Sequence, residues 1–320
     1  MTRVLLLVTA LASTTACGRI MKDVKLMPDL AASVDELWQQ PADLERRDLF
    51  YGAGGKEHFP KQTMFTFVAR DTTGWSPGLD VRDDAGVEWS VKLGPESQSE
   101  IVASRVLWAI GFHQPPAYYL EKWSVIGAES GPQQPGRFRP SGPGKVIGDW
   151  SWYENPFVGS RPFGGLVVAN LILNSWDWKT SNNKIYELPE PVNGVRRWFI
   201  VRDVGASLGT TTYPTILKWF RLRGFGQGTR NDLPGFEEQG FIVRVDSDER
   251  LTFDYRGIYG DVIDTVTLAD VRWTCELLRR LSDSQWHDAF RAGGYNAEQT
   301  RRYVAKIKSK IAQGLSVTAG

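Results

Sequence analysis

The chain has 320 residues, of which 42% are hydrophobic and 23% are charged. This composition argues against intrinsic disorder, and the length is enough for one large domain or two lobes. The 38 lysines and arginines balance 37 acidic residues, so charge gives no reason to expect a nucleic acid as a partner. The two cysteines, Cys17 and Cys275, and three scattered histidines argue against a disulfide framework and a zinc site.

The first 17 residues have the pattern of an export signal. Arg3 precedes a short apolar run at 4–12, and small residues lead to Cys17. The segment 14–17 resembles a bacterial lipoprotein signal, in which the cysteine is lipidated after cleavage. An ordinary secretory cut after Ala16 is the alternative. We therefore expect an exported protein, either a periplasmic or outer-surface lipoprotein held to the membrane by lipidated Cys17, or a secreted protein.

Residues 18–60 are predicted to be a tether that contains one short helix. The helix is expected at about 33–44, where Ser33 and Glu36 have the spacing of a capping box. The glycine-rich run 51–56 is compatible with phosphate binding, but no apolar strand precedes it. A flexible linker is the preferred interpretation of that run.

Residues 61–126 are predicted to be a small β-rich lobe with one helix. In the third expected strand, apolar and polar residues alternate, which places Ser90 and Lys92 on the same side, away from the apolar face. The expected strands are 64–69, 79–82 and 87–93.

The helix of this lobe follows the third strand. Ser97 and Glu100 have capping-box spacing, and Gly111 ends the apolar periodicity. Glu100 also lies in line with the apolar stripe of the helix. It is therefore either a capping residue or the partner of a buried cation, and Lys92 is the candidate.

Residues 127–160 are rich in glycine, proline and tryptophan and are predicted to be a connector. The region 161–315 is predicted to be a larger, mainly helical lobe, with a buried helix at 161–175 and a hairpin near 241–255. Its helical end carries capping signals at 282–285 and 296–299, and Cys275 is expected to be a buried apolar residue. These segments frame the two motifs that carry the chemistry.

The two motifs are D-x-K-x-x-N at 177–182 and D-x-G at 203–205. Between them the pattern predicts a β-hairpin with Asn193-Gly194 as its turn. A hairpin returns its ends to the same place, so Asn182 and Asp203 are expected to face one another. Oxygen ligands in that position suit a divalent metal, and Asp177 lies beside them as a base. The layout is that of a phosphoryl-transfer site.

The order of Lys92, Glu100, the first motif, the hairpin and the second motif resembles the protein-kinase-like superfamily. The resemblance covers about residues 63–210 and is closest to divergent branches, namely HipA-type kinases of bacteria, phosphatidylinositol kinases and secretory-pathway kinases. The chain is also similar to uncharacterised exported bacterial proteins with a W-D-x-K-x-x-N-N segment. The resemblance implies an α+β, bilobal protein-kinase-like fold, with a small antiparallel β lobe carrying one helix and a larger, mainly helical lobe.

The resemblance also implies roles for residues of the small lobe. Lys92 would hold the α- and β-phosphates of ATP or another nucleotide, with Glu100 as its helix partner. Ser90 is the small residue that would admit the adenine. Gly74 and Gly78 would belong to the loop that covers the phosphates.

In the larger lobe the resemblance implies the catalytic and metal residues. Asp177 would be the base that orients the acceptor hydroxyl, and Lys179 would neutralise charge on the transferred phosphoryl group. Asn182 and Asp203 would bind Mg²⁺ or Mn²⁺. Chemistry of this type depends on positioning and on compensating phosphate charge, which is why these residue types are needed.

Three functions are therefore carried forward. The first is an exported, membrane-anchored kinase-like phosphotransferase whose acceptor is a protein, lipid or glycan. The second is a catalytically inactive envelope scaffold or sensor, which the scarcity of ATP outside the bacterial cytoplasm favours. The third is a carbohydrate-binding module in which Trp150, Trp152 and Tyr153 stack on sugars. The alternative for these aromatic residues is packing in the connector.

Overall fold

The computed structural model describes residues 32–72, 76–128, 130–211 and 228–318. The predicted export signal with Cys17, and Gly74 of the predicted phosphate loop, lie outside the described residues. In the described ranges the protein is a mixed α/β structure with three sheets and seven α-helices. No helix in this part of the chain is long and apolar enough to cross a membrane.

The strands form a large sheet, a three-stranded sheet and a hairpin. The large sheet has the order β4-β7-β3-β2-β1-β5-β6, and its strands are β1 Met64–Asp71, β2 Gly78–Arg82, β3 Glu88–Leu93, β4 Tyr118–Leu120, β5 Ser124–Ile126, β6 Gly131–Pro132 and β7 Gly136–Pro140. The three-stranded sheet contains β8 Lys145–Asp149, β9 Asn183–Val192 and β10 Val195–Val201. The remaining hairpin pairs β11 Ile242–Val245 with β12 Leu251–Phe253.

The helices lie mostly in the second half of the chain. They are α1 Glu96–Ala109, α2 Arg161–Ile172, α3 Leu233–Glu238, α4 Gly260–Ile263, α5 Leu268–Arg279, α6 Asp283–Ala292 and α7 Ala297–Ser316. The predicted caps of α6 and α7 are confirmed, because Ser282 pairs with Gln285 and Asn296 with Gln299 in reciprocal capping boxes. Cys275 on α5 is fully buried, as predicted.

The three strands predicted first in the chain are confirmed as β1, β2 and β3. The large sheet also takes in β7, which comes from the segment predicted to be a connector and pairs with both β3 and β4. Side chains of β7 alternate: Phe138 is fully buried in the apolar cluster of the sheet, and Arg137 and Arg139 lie on the other face. The connector prediction missed this strand because the strand buries charge as well as apolar surface.

The start of α1 differs from the predicted capping box. Gly94, at φ 86°, turns the chain, and Pro95 occupies the N-cap position. Ser97 therefore lies inside the first turn, where its hydroxyl donates to the Lys92 carbonyl over 2.6 Å. The helix ends before Gly111, at φ 103°, as predicted. Because nearly every side of α1 is buried, Glu100 is only 2% exposed.

The predicted hairpin between the two motifs is confirmed as β9 and β10. Asn193 and Gly194 take φ values of 49° and 85°, the positive region that a two-residue hairpin turn requires. The register pairs Asn183 with Val201. The hairpin therefore returns the chain from the first motif directly to the second.

Two predictions for the N-terminal segment are wrong. The glycine-rich run is not a flexible linker, since Gly52–Gly54 form a buried 3-10 turn, and a side chain at Gly52 would collide with Arg105. The expected helix at 33–44 is reduced to two 3-10 turns, Val34–Glu36 and Leu44–Arg46. Glu36 does not complete a capping box there, because its carboxylate is buried against Arg197 of β10 at 3.0 Å.

The tryptophans of the predicted connector are core residues. Trp150 is 2% exposed and Trp152 is 1% exposed, and their ring centroids are 5.3 Å apart. The packing alternative is therefore confirmed for both residues. Neither tryptophan ring offers a free face on which a sugar could stack, so of the three residues proposed to bind carbohydrate only Tyr153, 45% exposed, is accessible.

His113 is a buried side chain whose ionisation makes the stability of the fold depend on pH. Its ring stacks on Trp198 at 4.6 Å, and Nε2 lies 2.8 Å from the carbonyl oxygen of Asp35. Burial lowers the pKa of His113 from 6.5 to about 4. The folded state therefore favours the neutral ring.

We expect this pKa shift to destabilise the protein as the pH falls. Protonation of the unfolded chain begins near pH 6.5, so the contribution of neutral His113 is complete above that value and declines toward pH 4. Between pH 7 and pH 5 the loss should be about 2 kcal/mol. Urea denaturation of the wild type and of His113→Phe at both pH values measures it. An equal loss in the variant would contradict the assignment.

Candidate active site

Lys92 is the centre of a cluster of charges drawn from three separate parts of the chain. Its Nζ lies 2.9 Å from Oε2 of Glu100 on α1 and 2.7 Å from Oδ1 of Asp203, which is 111 positions away. The Lys92 side chain is only 14% exposed. Burial alone would lower its pKa, but the two carboxylates raise the pKa above its ordinary value. The ammonium group is therefore charged at any physiological pH.

Glu100 is held by cations on both of its oxygens. Oε2 faces Lys92, and Oε1 lies 2.9 Å from Nε of Arg137 and 3.3 Å from an NH1 nitrogen of Arg139. Burial opposes ionisation of this carboxyl, but Arg137 and Lys92 hold its pKa below the usual value. Of the two alternatives for Glu100, ion pairing with Lys92 is confirmed.

Arg137 and Arg139 were not predicted from the sequence as site residues. The register places them directly opposite Lys92 and Ser90 on β3, so all four side chains share one face of the sheet. Burial, with the neighbouring charge of Arg139, lowers the pKa of Arg137 to about 10. The alternation of arginine with glycine, phenylalanine and proline in β7 was the signal available in the sequence.

A second carboxylate of α1, Glu96, lies one turn before Glu100. Its Oε2 is 3.2 Å from Nζ of Lys92 and accepts a hydrogen bond from the Ser76 hydroxyl at 3.0 Å. Its Oε1 pairs with Arg230 at 2.8 Å. Glu96 therefore connects the loop before β2, the lysine of β3 and the chain after the second motif.

Of the second motif, Asp203 pairs with Lys92 of β3 and Gly205 contacts α1 directly. The side chain of Asp203 remains 38% exposed, so part of the carboxylate is open to a ligand. Burial would raise the pKa of Asp203, but Lys92 and Arg139 lower it to about 2, so the carboxylate is ionised. The Gly205 carbonyl accepts from the Ser99 hydroxyl at 2.6 Å. A Cβ at Gly205 would lie 2.9 Å from Cβ of Glu96, so this position requires glycine.

The first motif forms a compact loop around Asp177. Nζ of Lys179 lies 2.9 Å from Oδ2 of Asp177, and Nδ2 of Asn182 donates to the Asp177 carbonyl at 2.9 Å. The same amide nitrogen is 3.4 Å from Oδ2 of Asp177. The Arg202 N–H donates to the Asn182 carbonyl at 2.9 Å, which brings the second motif to this loop. The backbone of Asn182 thus pairs next to Asp203, and the base and metal roles of Asp177, Asn182 and Asp203 stay predictions.

Buried residues hold the loop of the first motif in place. Asn174, at φ 51°, turns the chain after α2, and its Nδ2 donates to the Gly209 carbonyl at 2.7 Å. Lys310 of α7, 2% exposed, donates to Oδ1 of Asn174 at 2.6 Å. Trp178, inside the motif, stacks on Trp152 at 4.9 Å. These buried contacts fix the position of the loop that carries Asp177.

The oxygen atoms of Asn182 and Asp203 suit a hard divalent cation. Nδ2 of Asn182 donates to the Asp177 carbonyl, so Oδ1 of Asn182 is the atom that remains to contact a ligand. The neighbouring Asn183 is fully buried and donates to the Trp150 carbonyl, so it is a structural residue. The described residues contain no group of three or more metal-binding side chains. A metal ion held by Asn182 and Asp203 would need further oxygen ligands from outside these two side chains, which is usual for Mg²⁺.

The remaining predicted site residues lie beside Lys92 on the large sheet. Gly78, the first residue of β2, pairs with Lys92 in register, and the Ser90 carbonyl accepts from Arg137 at 3.0 Å. A Cβ at Gly78 would be 3.0 Å from Cβ of Asp71, so the two strands approach closely there. Their proposed roles toward a nucleotide stay predictions.

Comparison with known proteins gives a similarity of fold. Neither a family model nor a curated protein matches the sequence. Among solved structures, the chain is similar to the crystal structure of a Helicobacter pylori proinflammatory kinase, CtkA, with a TM-score of 0.45 and 10% sequence identity. The match covers 79% of this chain and 96% of the kinase chain. The similarity is one of overall fold at most, and any activity rests on the residues of the site.

Proposed function

We propose that the protein is an exported kinase-like phosphotransferase that binds a nucleotide together with Mg²⁺ or Mn²⁺. The proposal includes a bilobal arrangement, with the large sheet and α1 on the nucleotide side and the helical region carrying the catalytic loop. One observation carries it: Nζ of Lys92 lies within 2.9 Å of a carboxylate oxygen of Glu100, on the following helix, and of Asp203, 111 positions away. A purely structural ion pair would not need the Asp177 loop beside it.

The residues of this chain divide the chemistry between binding and proton transfer. Lys92, held in place by Glu100, would bind nucleotide phosphate oxygens, and a metal ion on Asn182 and Asp203 would neutralise phosphate charge when bound. Asp177 would accept the proton of the acceptor hydroxyl as its oxygen bonds to phosphorus and the nucleotide oxygen leaves. Lys179, at 2.9 Å from Asp177 and 52% exposed, can compensate charge on the transferred group.

Export belongs to the same proposal. The basis is the pattern of residues 1–17, with Cys17 as the lipidated residue of a membrane-anchored form. Because ATP is scarce in the bacterial envelope, such a protein would bind nucleotide weakly, use another donor, or have lost catalysis. Its acceptor would be a protein, lipid or glycan of that compartment.

The nucleotide site is tested by thermal unfolding with ATP and GTP, with and without Mg²⁺ or Mn²⁺. At a nucleotide concentration one hundred times Kd, binding adds about 2.7 kcal/mol of stability, which should raise the Tm by about 5 °C. The rise should require the metal and should disappear in Asp203→Ala. Asp246→Ala, which removes a surface carboxylate paired with Arg244, is the matched control and should keep the rise. A rise without metal, or in Asp203→Ala, contradicts the site.

A non-catalytic scaffold or sensor is the second candidate. The observation that favours it is that the Lys92 ammonium already contacts three carboxylates, those of Glu96, Glu100 and Asp203. This candidate expects no phosphoryl transfer at any Mg²⁺ or Mn²⁺ concentration, even where nucleotide binds. Any turnover that Asp177→Asn removes would eliminate it.

A further inference from the structure

Arg105 is a buried cation on the face of α1 that lies away from Lys92. It is 1% exposed. One terminal nitrogen donates to the carbonyl oxygens of Ala117 at 2.6 Å and Phe50 at 3.4 Å, and Nε has no hydrogen-bond partner. Within the described ranges no carboxylate forms an ion pair with it. The nearby carboxylate of Asp48 instead accepts from the backbone N–H groups of Phe50 and Tyr51.

A buried guanidinium that hydrogen-bonds only to neutral carbonyl groups is costly, because carbonyl dipoles replace water poorly and the nearby Asp48 carboxylate offsets the desolvation only in part. Burial lowers the pKa of Arg105 to about 10, so the group still carries its charge at neutral pH. Such a charge is in place to attract an anion.

A cavity of about 130 Å³ lies against Arg105. Four of its nine lining residues are aromatic, namely Phe50, Phe59, Tyr118 and Tyr119. The volume is close to the roughly 150 Å³ that accommodates benzene in an apolar protein cavity. Arg105, only 1% exposed, thus borders a space that fits one aromatic ring.

The other charged residues of the wall limit the charge of an occupant. Arg291 is paired with Asp288 at 2.8 Å, and its guanidinium lies 4.7 Å over the ring of Phe50, so its charge is already partnered. Glu121 adds a negative charge at the wall and repels polyanions such as phosphates. Arg105 is therefore the buried cation of this wall that has no ion-pair partner among the described residues, and it suits an occupant with a single negative charge.

We propose that this Arg105 cavity binds a small aromatic monocarboxylate, with the ring among Phe50, Phe59 and the two tyrosines and the carboxylate accepting hydrogen bonds from Arg105. Arginine and carboxylate form short, charge-assisted hydrogen bonds, and aromatic walls favour a planar apolar body. The cavity shares no residue with the Lys92 cluster. The site is therefore separate from the proposed nucleotide site and does not depend on its activity.

The test compares benzoate with benzamide, which has nearly the same shape but no charge, by calorimetry or protein-observed NMR. Benzoate should bind at least about tenfold more tightly, since one charge-assisted contact is worth more than 1.4 kcal/mol. Arg105→Met should remove that preference. Arg291→Gln, which removes the partnered arginine of the same wall, is the control and should keep it.

A second variant covers the event that Arg105→Met does not fold. Ala292→Leu keeps Arg105 and fills the cavity from the end of α6, where Ala292 is 9% exposed. It should lose benzoate binding while retaining the fold. No binding of benzoate to the wild type, equal binding of the two probes, or unchanged binding to Ala292→Leu would overturn the proposal. Neither probe carries a phosphate, so the result stands apart from the nucleotide experiments.

Discussion

Replacing Glu100 with alanine should lower the free energy of unfolding by about 3–5 kcal/mol, the usual effect of removing one partner of a buried ion pair. The variant leaves Arg137, with a side chain that is 2% exposed, and Arg139, at 10%, without their carboxylate. Lys92 would keep Glu96 and Asp203. Urea denaturation at pH 7 measures the change. The destabilisation therefore comes mainly from two uncompensated guanidinium groups.

The control is Glu88→Ala, which breaks a pair with Arg82 on the same sheet. Both side chains of that pair are about half exposed, at 54% and 49%, so the cost should be below about 1 kcal/mol. Combining Glu100→Leu with Arg137→Met should recover part of the loss, because fewer charges are then left buried. A cost for Glu100→Ala as small as that of the control would show that the buried cluster is solvated in solution.

Asp177→Asn should reduce phosphoryl transfer by about 10²–10⁴-fold in kcat, the range expected on removal of a general base. This prediction rests on the proposed function. Asparagine has nearly the same shape, so the contacts with Lys179 and Asn182 can keep the loop in place. Nucleotide-dependent stabilisation should therefore persist. Nucleotide hydrolysis and self-phosphorylation, followed with labelled donor, are the readouts that need no knowledge of the acceptor.

Asp149→Asn is the matched control for Asp177→Asn. Asp149 lies on the neighbouring sheet, is 27% exposed and pairs with Lys184 at 2.6 Å, so its loss should leave transfer unchanged. Full activity in Asp177→Asn would remove the base role while leaving the metal and nucleotide assignments open to the Asp203 test. Lost binding in Asp177→Asn would instead place Asp177 among the ligand contacts.

Features set by local sequence could be predicted well. The alternation around Ser90 and Lys92 gave β3, because strand side chains alternate between faces. Asn193-Gly194 gave the hairpin turn, since both positions need positive φ. The meeting of Asn182 with the second motif followed from that hairpin alone.

Features set by distant contacts were missed. Arg137 and Arg139 lie in a segment whose glycines and prolines favour a loop, and only pairing with β3 makes it a strand. Glu96 has the spacing of an ordinary residue of a first helical turn, and its partners Lys92 and Arg230 come from elsewhere. The capping prediction at Ser97 failed because the helix begins earlier, at Glu96, with Pro95 at the N-cap position.

The hydrogen bond from Lys310 to Asn174 has a consequence for how the protein can be shortened. Lys310 lies in the last two turns of α7, yet it donates to the residue that turns the chain toward Asp177. A fragment that stops before this lysine would keep every motif residue and lose the support beneath them. A shortened version that keeps the Asp177 loop supported should therefore include the whole of α7, with any fusion partner placed beyond it.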